Sequence, residues 1–99
     1  MAELNETIHQ PVRLRIMAAL VTLEAGSEVD FTYLRGLLDV TDGNLGAHLR
    51  KLEEAGYLDV EKSFKGRRPN TNLRLTTAGR SAFQEYRRRL KQMLDDLPE

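Results

Sequence analysis

The residues best suited to chemistry in this chain are amides and cations set at helical spacing. Across residues 41–55, TDGNLGAHLRKLEEA, a turn of about 100° per residue puts Gly43, Asn44, Ala47, Arg50 and Lys51 on one side. Leu45, Leu49 and Leu52 form a narrow apolar stripe on the other. The outer side is small, polar and basic, so its backbone can press close to a second surface and hydrogen-bond to it. The DNA major groove is such a surface. There the Asn44 amide can pair bidentately with adenine, while Arg50 and Lys51 suit phosphate. An ordinary amphipathic helix with a solvated face has the same pattern. Thr41 stands where it can cap the first free N–H groups, and Asp42 adds negative charge at the positive helix end. Gly56 suits the left-handed residue just past a helix.

A second cluster is Lys65-Gly66-Arg67-Arg68-Pro69-Asn70, with turn chemistry from glycine, proline and asparagine. Its three cations repel one another without an anionic partner, so Lys65, Arg67 and Arg68 are expected phosphate contacts. A solubilising loop is the plainer alternative.

Enzyme chemistry has no foothold. There is no glycine-rich phosphate loop, no nucleophile with a histidine partner, and no paired carboxylates in an apolar setting. Cysteine is absent, and His9 and His48 have no ligand spacing, so neither a metal nor a cofactor is expected. His48 lies at the edge of the apolar stripe, where a structural role is expected.

These clusters must be held by a chain of 99 residues, enough for one domain over 1–99 with a single core. Net charge is zero but unevenly spread. Residues 1–40 carry three basic and six acidic side chains; residues 62–74 carry five basic ones (Lys62, Lys65, Arg67, Arg68, Arg74) and no acid. Such a local patch can supply phosphate contacts on a neutral protein. No apolar run reaches the about 18 residues of a membrane span. The start, MAELNETIHQ, lacks the pattern of a signal peptide. A cytoplasmic location and no membrane partner are therefore expected.

Along the chain, residues 4–8 read as a short helix with Asn5 as its cap. Pro11 opens a helix reaching Leu23 with a broad apolar arc. Residues 28–30 fit a short strand. Asp30 caps a helix over 31–38, and Asp39-Val40-Thr41 leads tightly into 41–55. Two short helices so joined form the helix-turn-helix signature, which any αα-hairpin shares. Residues 57–75 read as a hairpin: a strand through Phe64, a loop over 65–70, and a strand over 71–75. Thr76 or Thr77 caps a last helix over 78–94. On one face of it fall Gly79, Ala82, Phe83, Tyr86, Leu90, Met93, Leu94 and Leu97. That face is too long for so small a domain to cover. A second copy of the chain is the expected partner, meeting Leu4, Ile8, Tyr86, Leu90, Met93, Leu94 and Leu97 in a two-fold contact. Packing along the first helix is the competing reading.

This order, α-α-α-β-β-α, mainly helical with a small β-hairpin, is that of a winged helix-turn-helix. The segments HQPVRLRIMAAL, LRKLEEAGYL and RLTTAGRSAF resemble compact winged-helix transcriptional regulators related to the MarR and ArsR families. Asn44, Leu45, His48, Leu49, Leu52, Glu53, Gly56 and Tyr57 stand at the positions of the N-L-x-x-H-L-x-x-L-E-x-x-G-Y pattern. Phe64 to Thr71, FKGRRPNT, resembles the wing, and Leu75, Thr76 and Gly79 the L-T-x-x-G after it. The resemblance implies a homodimer that binds double-stranded DNA sequence-specifically. Two recognition helices would enter successive major grooves, with each wing on phosphate or the minor groove. It specifies no effector. Gly46 departs from the family, where a polar residue such as serine is common, and costs the helix about 1 kcal/mol. Gly46 and the zero net charge favour an alternative, a winged-helix module that binds protein through the same face. The FKGRRP tip speaks against it.

Overall fold

The computed structural model describes residues 3–98, so Met1, Ala2 and Glu99 of the 1–99 range lie outside the description. The elements run α1 (Pro11–Val21), β1 (Glu28–Asp30), α2 (Phe31–Leu38), α3 (Asp42–Glu54), β2 (Leu58–Lys65), β3 (Arg68–Leu75) and α4 (Thr77–Asp95).

Helix starts follow side-chain chemistry. Pro11 occupies the first turn of α1, and the Gln10 amide oxygen accepts from the Arg13 N–H. Asp30, Thr41 and Thr76 accept from the N–H groups of Tyr33, Asn44 and Gly79 in the same way. The cap of α4 is thus Thr76, and Thr77 is helical. Residues 4–8 are a turn and not the expected helix. Asn5 Oδ1 accepts from the Thr7 and Ile8 N–H groups, and Gln10, placed before Pro11, is extended. A residue preceding proline is driven out of the helical region, so the turn cannot run on into α1. Asp39 ends α2 in the left-handed conformation at φ 53°, which aspartate tolerates better than most residues.

The sheet has the order β1-β3-β2, antiparallel throughout. The β2–β3 ladder runs from Leu58 opposite Leu75 to Lys65 opposite Arg68. Only Gly66, at φ 64°, and Arg67 remain for the turn. The expected 65–70 loop is therefore mostly strand. Pro69 is tolerated because β1 pairs only with residues 72–74, so β3 is a free edge at Pro69.

One core joins these elements. Ile16, Met17 and Leu20 of α1 meet Leu34 and Leu38 of α2, Leu45, Leu49 and Leu52 of α3, and Leu58, Leu73 and Leu75 of the sheet. Phe83 and Tyr86 bring in the first half of α4, which packs on α1. Gly79 is buried where α4 passes the end of β2's lead-in; a Cβ there would collide with the Tyr57 carbonyl oxygen.

Ile8 and Tyr86, expected at a dimer contact, belong to this core, 0% and 2% exposed. The N-terminal turn carries Ile8 into the core and folds back over Tyr86, whose hydroxyl lies 2.8 Å from His9 Nδ1. Leu4 and Leu90 are half-buried, while Met93, Leu94 and Leu97 are exposed.

Candidate nucleic-acid interface

Leu45, Leu49 and Leu52 point into the core, which turns Asn44, Ala47, Arg50 and Lys51 outward. All four are exposed. Thr41 and Asp42 are exposed as well, but both hold the helix in place. The Thr41 hydroxyl accepts from the Asn44 N–H at 3.1 Å. Asp42 pairs with Arg35 of α2 at 2.7 Å and ties the two helices of the motif together.

The inner flank of α3 carries His48. Arg13 Nη1 lies 3.1 Å from His48 Nδ1, and Arg13 Nε donates to the Thr7 carbonyl. A guanidinium only donates, so His48 Nδ1 must accept and the ring is neutral. Burial, then the Arg13 charge, lowers the His48 pKa below its ordinary value. This is the structural role expected for His48.

The wing exposes Lys65, Arg67 and Arg68 at its tip. Arg74, counted in the same basic stretch, is drawn away: it bridges Glu28 at 3.4 Å and Asp59 at 3.1 Å on the far part of the sheet. Among the described residues, no ion pair engages Arg50, Lys51, Lys62, Lys65, Arg67 or Arg68. Arg88 and Arg89 on α4 are engaged. Both donate to Glu85, and these hydrogen bonds, Arg88's first, hold its carboxyl down to about 2.

Phe64, an apolar strand residue that opens the FKGRRPNT wing segment, is 71% exposed. Alternation with Val60 and Lys62 carried the signal, because it places an aromatic and a cation on one face of the wing. The described residues include no group of three or more His, Cys, Asp or Glu able to hold a metal ion. They include no helix long and apolar enough to cross a membrane.

An exposed helix with a cap, a polar outer face and a basic hairpin beside it is what a winged helix presents to a duplex. Residues 12–94 match the family described as winged helix DNA-binding domain. The chain belongs to that family. Its members are transcriptional regulators and not enzymes. This winged helix is 44% identical over 75 residues to an uncharacterized protein of Methanocaldococcus jannaschii, covering 76% of this chain and 78% of that one. A solved structure described as a transcriptional regulator homologue from Pyrococcus horikoshii OT3 superposes with a TM-score of 0.83 at 32% identity, over 94% of this chain and 91% of that one. The transcriptional repressor BigR from Xylella fastidiosa shares the fold, with a TM-score of 0.63 at 22% identity over 95% and 84% of the two chains. Regulators of the ArsR and MarR families share it too.

Proposed function

We propose that this winged helix is a cytoplasmic, homodimeric, sequence-specific regulator of transcription that binds double-stranded DNA. The observation that carries the reading is the shared exposure of the α3 outer face and the wing-tip cations, with no ion pair among Arg50, Lys51, Lys65, Arg67 and Arg68 in the described residues. In this reading α3 enters the major groove, with Asn44 and Ala47 at base edges and Arg50 and Lys51 toward phosphate. Thr41 and Asp42 sit at the entry of the helix. Lys65, Arg67 and Arg68 reach phosphate or the minor groove from the wing tip.

The second copy would dock on the distal part of α4. Leu90 and Leu94 share an open side of that helix with Arg87, Lys91 and Asp95. An antiparallel copy would cover Met93, Leu94 and Leu97, which are exposed on the distal part of this helix. Such a dimer would present two α3 helices about 34 Å apart, one turn of duplex.

Binding of a labelled duplex across a salt series tests the reading. The expected result is affinity that falls steeply with salt and is abolished by Arg67→Glu with Arg68→Glu, while the double variant still dimerises. No binding at about 50 mM salt, where phosphate contacts are strongest, would favour the protein-binding alternative.

A further inference from the structure

Val60, Lys62 and Phe64 alternate along β2 and so share one face of the wing. Their ladder partners Leu73, Thr71 and Pro69 share it with them. By the same alternation Lys65 and its partner Arg68 belong to the opposite face. Between the first face and α3 lies a cleft of about 280 Å³. Phe31, Leu49 and Val60 give it an apolar floor. Arg50 and Glu53 line it from α3, and Lys62 and Thr71 from the sheet.

Duplex geometry supplies an occupant. A major groove and the minor groove beside it are separated by one sugar–phosphate backbone. With α3 in the first and the wing tip in the second, one backbone must cross the surface between them. We propose that the α3–wing cleft seats this backbone, with Arg50 and Lys62 holding a phosphate and Phe64 packing on the deoxyribose where the strand leaves. The inference rests on the DNA-binding reading above. A phosphodiester chain alternates anionic oxygens with apolar sugar faces. The cleft matches it with two cations, neither in an ion pair among the described residues, set over an apolar floor. Gly46 also lines the cleft, and a Cβ there would meet nothing within 4 Å, so the helix backbone is open to close approach. Glu53 opposes a phosphate, which fixes the sign of a further effect: neutralising it strengthens binding.

Fluorescence anisotropy of a labelled duplex across a salt series tests the cleft, using the wild-type chain, Lys62→Gln, Glu53→Gln and Phe64→Ser. All three positions are exposed, and equal thermal melts confirm that the variants fold. Lys62→Gln is expected to weaken binding several-fold and to lower the slope of log affinity against log salt by about one. Glu53→Gln is expected to tighten binding, and Phe64→Ser to weaken it with the slope unchanged. A wild-type chain that binds DNA, together with a Lys62→Gln variant of unaltered affinity and slope, overturns the cleft and leaves the DNA-binding reading standing. A wild-type chain that does not bind at low salt overturns both.

Discussion

His48 and Arg13, 35 residues apart in sequence, meet in a contact that only a neutral imidazole can make. The folded pKa of His48 lies below the about 6.5 of an unfolded histidine, so the unfolded chain takes up the proton first. The stability linked to His48 is therefore present above about pH 6.5 and is lost as pH falls toward the lower folded value. A His48→Gln variant keeps an acceptor for Arg13 without the titration. Between about pH 7.5 and 5.5, which brackets the ordinary histidine value, the wild-type melting temperature should drop more than that of the variant. Equal drops would remove His48 from the account. Other roles at this scale were legible in the sequence because they are local. Thr41 and Asp30 cap within three residues, and Gly56 takes its φ of 82° next to the helix it ends. Pairings such as Arg13 with His48, or His9 with Tyr86 across 77 residues, depend on which turn folds over which helix. No local pattern encodes that.

Elements were legible wherever the apolar period was clean. The α3 stripe of Leu45, Leu49 and Leu52 and the α2 cap at Asp30 place those helices as expected. The wing differed because glycine, proline and asparagine signal a loop, whereas an edge strand accepts Pro69 and leaves only Gly66 and Arg67 to turn. Two glycines separate packing from propensity. At Gly79 an added methyl meets the Tyr57 carbonyl, so Gly79→Ala should cost about 1–3 kcal/mol in urea unfolding. At Gly46 it meets nothing, so Gly46→Ala should gain about 0.5–1 kcal/mol from helix propensity. If the two substitutions had effects of the same sign, the packing of α4 against Tyr57 would be wrongly described. Gly46 then reads as a residue kept at some expense to α3, in line with its place in the cleft.

At the scale of the whole molecule, the apolar face of α4 divides in two. Gly79, Phe83 and Tyr86 complete the chain's own core, while Met93, Leu94 and Leu97 remain exposed. The sequence shows this face as one continuous stripe, because periodicity reports which side is apolar and says nothing of where along it the fold runs out. The N-terminal turn, which buries its own Ile8 and meets Tyr86 through His9, marks that limit. In the proposed dimer, Leu94→Asp with Leu97→Asp should shift the chain toward monomer in sedimentation. Each buried leucine is worth about 1.5–3 kcal/mol, so dimerisation should weaken by about tenfold or more. Monomer melting should be unchanged, since both side chains are exposed. Dimers that persist in the double variant would place the contact elsewhere.

The central claim is that two copies present two α3 helices and two wings to one face of a duplex. Hydroxyl-radical footprinting on a duplex selected by the protein from a random-sequence library tests it most directly. The account predicts two protected half-sites related by a two-fold axis, with centres about 10 base pairs apart. The Arg67→Glu, Arg68→Glu variant should protect neither half-site. A library that yields no protected duplex at low salt, or a single protected half-site at saturation, would contradict it.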